Sequence, residues 1–283
     1  MVTPFTIAGG NGTAPSRIGS VVHDAWVVTR RNLRRMSRMP ESFIFGLIQP
    51  VIFLALFFYV ISGAVEIPGA AAGPTGYREF VIPGILAQAA TFTVAAATVG
   101  IADDMSRGMV NRFRTLPMAR SAVLAGRTLA DLLQTALTVL VLAAVALAVG
   151  WRIHDGLLPA IGAFGLMLLL SFSMSWIGAL IGMSMSGPEA AASGGLVWLF
   201  PLVFVSNAFV PVQSMPGWVQ SIVSWNPFSA TVQACRTLFG SPGVGRSDVW
   251  PMQHPVAASL LWSLLILIVF CLLSVRKYRN TSR

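Results

Sequence analysis

Six long apolar segments divide this 283-residue sequence, and they limit its fold more than any other feature. Each has about 20 residues or more, which is the length that an α-helix needs to cross the hydrocarbon core of a bilayer. The segments are 43–65, 81–102, 121–150, 157–182, 190–210 and 256–275. The sequence therefore predicts an all-α integral membrane protein, with six transmembrane helices between residues 43 and 275.

Charged residues make up only 10% of the chain, whereas apolar residues make up 55%. Soluble proteins carry about 25% charged residues, so this chain lacks the polar surface that would let it face water on all sides. Its net charge of +9 is interpreted as marking membrane edges, and no nucleic-acid binding is predicted. The preference for arginine over lysine, with abundant alanine and glycine, indicates a GC-rich bacterial genome and hence a bacterial cell membrane.

The basic residues are distributed unevenly between the two sides of the membrane. With both termini in the cytoplasm, six precede the first span, five surround the loop after the second span, and four lie in a tail at 276–283. The four outside are Arg78, Arg152, Arg236 and Arg246. Cytoplasmic loops are rich in lysine and arginine, so this bias predicts cytoplasmic termini. Residues 1–17 are expected to be a flexible N-terminus without a signal-peptide pattern.

Motifs that carry chemistry are scarce. The single lysine, Lys277, is not part of a phosphate-binding G-x-x-x-x-G-K-[ST] pattern, which excludes ATP hydrolysis by that route. Cys235 and Cys271 form no C-x-x-C pair, and the three histidines lack the spacing of metal ligands. We therefore predict no catalytic residue, metal or cofactor in this chain.

Residues 18–39 are too short and too polar to cross a membrane, but apolar residues recur among them at nearly helical spacing. Five arginines crowd the second half of this segment: Arg30, Arg31, Arg34, Arg35 and Arg38. An amphipathic interfacial helix lying on an anionic membrane surface has this pattern. A segment that only fixes the topology by its charge is the simpler alternative, and the two roles are compatible.

The loop after the second span, residues 103–118, begins with acidic residues and ends with arginines. This order complements the dipole of a short helix. Phe113 and Leu116 are three residues apart, so they share one face of such a helix. An aromatic tip flanked by charge would suit contact with a soluble partner. An ordinary basic cytoplasmic loop is the alternative interpretation.

The segment between the last two spans is too apolar to be solvated throughout. A break at Asn226-Pro227 and a stop at Gly240 predict two short helices, each too short to span. Trp218 and Trp225 are typical of the boundary between water and lipid. We predict that residues 212–240 form a hairpin that dips back into the membrane from outside. An amphipathic loop on the surface is the alternative.

Few polar residues lie within the predicted spans. Asp131 is an acidic residue inside the third segment, and Arg127 lies four residues earlier on the same face, so an ion pair with a structural role is favoured. Uncharged amides commonly join helices by hydrogen bonds, and this is the favoured interpretation of Gln49, Gln88, Gln134 and Asn207. The residues considered for a transport pathway are Gln49, Gln88, Phe204 and Asn207, with Phe200 and Phe209 adding to an aromatic surface in the fifth span.

Four groups of residues occur in an order that resembles a known family. They are VIPGILAQ at 81–88, NRFRTLP at 111–117 preceded by Asp104 and Gly108, FPLVFVSNAFVP at 200–211, and MPGW at 215–218 with NPFSATVQACR at 226–236. From about residue 20 onward, the chain resembles the ABC-2 type transporter permeases, in particular those of the daunorubicin-resistance type. The resemblance implies six membrane helices, an N-terminal interfacial helix, a cytoplasmic coupling helix and an external re-entrant helical hairpin.

The resemblance also implies partners and a function. The loop at 103–118 would be the coupling helix that contacts an ATPase, with these residues taking part: Asp103, Asp104, Gly108, Asn111, Arg112, Phe113, Arg114, Leu116 and Pro117. ATP and Mg would be bound by two copies of a cytosolic ATP-binding subunit. A second permease, identical or homologous, and membrane lipids would complete the assembly. The implied function is outward movement of amphiphilic drugs or lipids; export of lipid-linked glycans is an alternative, and a secondary carrier or membrane scaffold is another.

Overall fold

The computed structural model describes residues 40–63, 74–106, 120–241 and 249–281. Helices joined by turns make up these ranges, and no β-strand occurs in them, which confirms the predicted all-α class there. A π-helical stretch, Leu56–Ile61, continues the first helix, and a 3-10 turn, Val212–Ser214, precedes the sixth. The α-helices are α1 (Pro40–Ala55), α2 (Pro74–Ser106), α3 (Arg120–Val149), α4 (Leu157–Gly182), α5 (Pro188–Phe204), α6 (Gly217–Trp225), α7 (Pro227–Phe239), α8 (Trp250–Gln253) and α9 (Pro255–Thr281).

Five helices of the described chain are long and apolar enough to cross a membrane. They are α1 with its π-helical extension, α2, α3, α4 and α9, and each coincides with one of the predicted spans. The chain is therefore a multi-pass membrane protein. The remaining predicted span, 190–210, contains α5, which is apolar but only 17 residues long.

Helix α5 ends at Phe204, six residues before the predicted end of its span. Pro201 lies in the last turns of the helix and lacks a backbone N–H to donate. Asn226 caps the open end, since its Nδ2 donates to the carbonyl oxygens of Leu202 and Val205 at 2.7 Å each. These bonds satisfy carbonyls that a helix end leaves without partners. A residue distant in sequence therefore fixes where α5 stops.

Helix α2 extends beyond both ends of the predicted span at 81–102. It begins at Pro74, because proline is well suited to the first turn of a helix. It therefore includes Arg78, which the charge count placed in an external loop and which donates from Nε to the carbonyl of Phe58 at 3.0 Å. At the other end α2 continues to Ser106, so the acidic residues Asp103 and Asp104 lie in this helix.

Helix α9 also outlasts its predicted span. It continues to Thr281, so most of the predicted tail at 276–283 is helical. Tyr278 is buried within this part, against a cluster that includes Trp176 and Ile101. The buried aromatic residue gives the end of α9 a packed position, which explains why the helix does not stop where the apolar run does.

Helix α2 lies at the centre of the bundle. About four fifths of its apolar span (78%) is buried, against 11% for α1. It packs against α3, α4, α5 and α7. Glycines allow α4 to come close, since a Cβ atom at Gly178 or Gly182 would lie within 2.6 Å of an atom of Thr98. Small residues at such contacts give bundles in lipid their close backbone packing. By contrast, α1 touches the bundle lightly and exposes large apolar side chains.

Helices α6 and α7 form a hairpin whose two halves have different surroundings. Helix α7 is buried against α4 and α9, whereas α6 exposes Trp218 and Trp225. Local sequence fixes both ends of α7. Asn226 Oδ1 accepts from the backbone N–H of Phe228 at 2.8 Å, and Gly240 ends the helix with a φ of 67°. A positive φ at this position favours glycine over any residue with a Cβ.

Candidate functional site

Most residues of the predicted coupling helix lie outside the described part of the chain, and so do the arginines of the predicted interfacial helix. These residues are Gly108, Asn111, Arg112, Phe113, Arg114, Leu116, Pro117, Arg30, Arg31, Arg34, Arg35 and Arg38. Their roles stay predictions. Of the same set, the structure describes Asp103 and Asp104, which lie in the last turns of α2.

An ion pair joins α2 to α3 close to this loop. Arg127 Nη1 lies 2.6 Å from Asp104 Oδ2, and Arg127 Nε lies 3.6 Å from Asp131 Oδ1. The sequence pointed to the contact with Asp131 and missed the shorter one with Asp104, which depends on how the two helices pack. Gly100 leaves room for the guanidinium, since a Cβ atom there would lie 1.8 Å from Arg127 Nη2. The ion pair thus ties together the two helix ends that flank residues 107–119.

Asp131 takes part in a further set of contacts between the same helices. Its backbone carbonyl accepts from Thr135 Oγ1 at 2.9 Å, and that hydroxyl lies 2.7 Å from Thr93 Oγ1 of α2. Its Oδ2 is buried without a hydrogen-bond partner among the described residues. Asp131 therefore contacts two residues of its own helix, Arg127 and Thr135, and it is these two that reach α2. Its structural role stays a prediction.

A cavity of about 280 Å³ lies between α1, α2, α3 and α5. Three glutamines line it, one from each of the first three helices: Gln49, Gln88 and Gln134. Gln88 and Gln134 each follow the first residue of their helix by 14 positions, or about 21 Å, which places them near the middle of helices that cross a membrane. The cavity also contacts apolar side chains of α1, α2 and α5, among them Pro50, Phe53, Phe92 and Leu196. Two predicted pathway residues, Gln49 and Gln88, are brought together here.

An arc of six phenylalanine rings begins and ends at this cavity. Successive ring centroids are separated by 4.7 to 6.0 Å, in the range of favourable aromatic contacts. In order the rings are Phe53, Phe57, Phe209, Phe204, Phe200 and Phe92. The first and last of these line the cavity. We call this set the phenylalanine arc. Phe204, a predicted pathway residue, belongs to the arc and does not itself line the cavity.

Asn207 lies apart from the cavity, so the structure does not bring it together with the glutamines. It is buried where α5 ends, and its Nδ2 donates to Gln233 Oε1 of α7 at 3.3 Å. Its backbone N–H donates to Ser229 Oγ at 3.2 Å. Asn207 therefore holds the hairpin against the end of α5, and its part in a transport pathway stays a prediction.

Arg236 is fully buried at the centre of the same cluster. Its Nη2 donates to the carbonyls of Asn207 at 2.8 Å and Ala208 at 2.9 Å, and its Nε donates to the carbonyl of Phe80 at 2.9 Å. The guanidinium also lies 3.6 Å from the centroid of the Phe80 ring, within cation–π distance. We call these contacts the Arg236 clamp. It connects α7, α2 and the chain after α5.

The sequence profile of the ABC-2 type transporters matches residues 23–239, which is most of the chain. The chain belongs to the ABC-2 type transporter family. This confirms the resemblance on which the predicted architecture was based. The chain is similar to daunorubicin resistance ABC transporter permease protein DrrB1 of Streptomyces coeruleorubidus, with 32% identity over 273 residues that cover 96% of this chain and 90% of the relative.

A second relative is named "Probable doxorubicin resistance ABC transporter permease protein DrrC", from Mycobacterium tuberculosis (strain ATCC 25618 / H37Rv). It is 24% identical to this ABC-2 transporter chain over 254 residues, covering 90% of this chain and 87% of the relative. Both relatives are named as permeases. That agrees with a sequence in which Lys277 lies outside any phosphate-binding loop pattern.

Arg236 is the residue of this ABC-2 permease that sequence reasoning missed, because it was counted only as an external charge. A signal was present in the sequence. Ser229, Gln233 and Arg236 are four and three residues apart, so they share one face of a helix. A polar stripe of this kind, on a helix bounded by apolar residues, predicts polar partners in the interior of the bundle.

Proposed function

We propose that this chain is the transmembrane permease subunit of an ABC exporter, which moves amphiphilic drug-like or lipid substrates outward across a bacterial cell membrane. The proposal rests on the cavity near the middle of the bundle, because amide and aromatic side chains line it together. Small-molecule sites are typically apolar pockets with a few placed polar groups. The names of the relatives make daunorubicin and doxorubicin the first compounds to test.

The proposed topology has six spans, with α5 as the fifth and both termini in the cytoplasm. Helix α5 alone is short for a crossing. The buried helix α7 packs beside it and occupies part of the membrane's depth as half of a re-entrant hairpin. The exposed Trp218 and Trp225 of α6 would then lie at the outer membrane boundary, where tryptophan is enriched. In this topology the loop after α2 faces the cytoplasm.

Energy would come from two copies of a cytosolic ATP-binding subunit, which bind ATP and Mg, and a second permease would complete the assembly. The loop at 103–118 is proposed to receive their movement as a coupling helix. The ion pair between Asp104 and Arg127 supports this role, since it ties α2 to α3 on either side of that loop. A push on the loop would be delivered to both helices together, rather than to one.

The packing of α1 offers a way for such a push to reach a substrate. Helix α2 is deeply packed, whereas α1 buries little of its apolar surface. Gln49 on α1 and Gln88 on α2 both line the same cavity. A shift of α1 against α2 would change the width of the cavity at small cost in packing, so two states of the bundle would differ in access to it.

The proposal is tested by reconstituting the permease in liposomes with an ATP-binding subunit encoded next to it. We expect daunorubicin to stimulate ATP hydrolysis and to be transported only when ATP is present. Transport that continues after ATP depletion and stops when the proton gradient is collapsed would instead establish a secondary carrier. Stimulation by a polyprenyl-linked glycan and not by the drug would establish the glycan exporter. An inert chain that recruits no ATPase would favour a scaffold.

A further inference from the structure

We propose that a smaller cavity, where α2, α3 and α4 meet, binds one sodium ion. This cavity has a volume of about 10 Å³, and about 10–15 Å³ is what one water-sized body needs. Polar residues of all three helices line it: Asp131 and Thr135 of α3, Thr93 of α2, and Ser171 and Ser175 of α4. A bound ion would join the three helices at one point. Its binding can be measured on the chain alone, without ATP or a partner subunit.

Asp131 gives the small cavity a negative charge that its neighbours balance only in part. Arg127 is shared between two carboxylates, and it lies closer to Asp104, at 2.6 Å, than to Asp131, at 3.6 Å. These three groups together carry one negative charge in excess. Asp131 Oδ2 is buried and has no hydrogen-bond partner among the described residues. Because a buried charge without a partner is strongly unfavourable, this oxygen requires a donor or a cation beside it.

The four hydroxyl groups that line the cavity cannot supply that donor. Each of them lies 2.7 to 2.9 Å from a backbone carbonyl oxygen, to which it can donate its hydrogen. The hydroxyls of Thr93 and Thr135 are also 2.7 Å apart, so one of the two can donate to the other. A hydroxyl has one hydrogen and two lone pairs, so these oxygens remain as acceptors. A carboxylate surrounded by acceptor oxygens is a set of cation ligands.

The charge and the size of the site favour sodium over other common cations. One excess negative charge is balanced by one monovalent ion. Ca²⁺ takes about 6–8 oxygen ligands, and Mg²⁺ usually keeps several of its waters, for which a cavity of about 10 Å³ has no room. Potassium is about as large as a water molecule and would fill the cavity, whereas the smaller sodium ion leaves space for the surrounding oxygens to approach it. We therefore expect the site to prefer sodium to potassium.

The test is thermal unfolding of the full chain in detergent at about pH 8, where carboxyl groups are normally ionised. The chain is heated in sodium, potassium or choline chloride at one ionic strength, and choline, which is too large for the cavity, sets the baseline. We expect the midpoint in about 200 mM sodium to lie at least about 4 °C above that in potassium. Mass action gives a shift of about this size for a site with a Kd of about 5 mM.

A pair of aspartate variants locates the ion. Asp131→Asn keeps the size of the side chain and removes the charge from the cavity, so we expect the difference between sodium and potassium to disappear. Asp155→Asn is the matched control, because Asp155 is exposed in the turn between α3 and α4 and does not line the cavity. It should keep the full difference between the two salts.

A pair of serine variants tests the hydroxyl ligands and decides the matter if Asp131→Asn does not fold. Ser175→Ala removes one ligand, and the hydrogen bond that it loses, to the carbonyl of Phe172, lies within α4. We expect the sodium concentration at half of the maximal shift to rise at least about threefold. Ser184→Ala is its control, since Ser184 is exposed and donates to the carbonyl of Leu180, away from the cavity. It should respond to sodium like the unaltered chain.

Three results would overturn the inference: equal midpoints in sodium and potassium, a sodium effect that persists in Asp131→Asn, or an unchanged half-maximal concentration in Ser175→Ala. A proton on Asp131 in place of the ion would give the first of these. The outcome is separable from that of the proposed function. A chain that binds sodium at Asp131 but recruits no ATP-binding subunit would keep the site and refute the exporter. ATP-driven transport by a chain that does not distinguish the two salts would do the reverse.

Discussion

Replacement of Arg236 by methionine is the most informative single change in this protein. Methionine keeps most of the apolar stem of the side chain, so Arg236→Met removes the guanidinium and little else. The three carbonyls that it contacts, those of Phe80, Asn207 and Ala208, lose a donor in the buried interior. Because they belong to α2 and to the chain after α5, the variant should loosen the hairpin from both.

The magnitude follows from the contacts. Hydrogen bonds from a charged donor contribute about 1.5–3 kcal/mol each, and Arg236 donates three. The variant no longer buries a charge, which offsets part of the loss. We therefore expect a net destabilisation of about 3–5 kcal/mol, close to that of breaking a buried charged contact. At about 2–4 °C per kcal/mol for chains of this size, the midpoint should fall by at least about 6 °C.

The assay is thermal unfolding of the detergent-purified chain fused to a fluorescent protein, at one fixed scan rate because such transitions are often irreversible. Arg152→Met is the control. Arg152 also donates to two carbonyls, those of Leu147 and Trp151, but it is exposed, so water can replace it. We expect the control to lie within about 1 °C of the unaltered chain. The same small change in Arg236→Met would refute the clamp as a source of stability.

Three further changes probe the other elements. Asp104→Asn should lower stability by about 1–2 kcal/mol, because Arg127 loses the carboxylate 2.6 Å from its Nη1, and an unchanged thermal midpoint would contradict this. Phe113→Ala should weaken recruitment of the ATP-binding subunit to membranes while the permease still accumulates, because aromatic anchors dominate interfaces; normal recruitment in a pull-down would contradict this. Cysteine labelling should reach Arg152→Cys from outside and Arg114→Cys from inside, and the reverse pattern would overturn the topology.

The ends of the helices differ in how well the sequence predicts them. Helices α3 and α4 lie within a residue of their predicted bounds, because Gly150 and Gly156, with φ values of 115° and 86°, make the connecting turn. The end of α5 was misplaced, since the apolar run continues past it. Its cap comes from Asn226, and a cap so distant in sequence leaves no mark near the residue where the helix ends.

The same contrast applies to the candidate site. Composition indicates which residues are polar, but only the packing of the helices shows which of them converge. Gln49, Gln88 and Asn207 were all considered as pathway residues because each is a polar residue within an apolar span. In the structure, the first two share a cavity with Gln134. Asn207 does not, because which polar residues converge depends on the rotation of each helix about its axis, and that follows from packing across the whole bundle. Arg236 was misjudged for another reason, since a count of charges by compartment cannot distinguish a solvated arginine from a buried one.

The Arg236 clamp and the cavity are connected through one residue of the phenylalanine arc. Phe209 directly follows Ala208, whose carbonyl accepts from Arg236, and its own carbonyl accepts from the Tyr77 hydroxyl at 3.1 Å. Its ring stacks between Phe57 of the π-helical stretch, at 4.7 Å, and Phe204 of α5, at 5.6 Å. Movement of the hairpin would therefore shift the ring where the two halves of the arc meet. The buried hydrogen bonds that hold the hairpin also set the position of the aromatic wall that leads to the cavity.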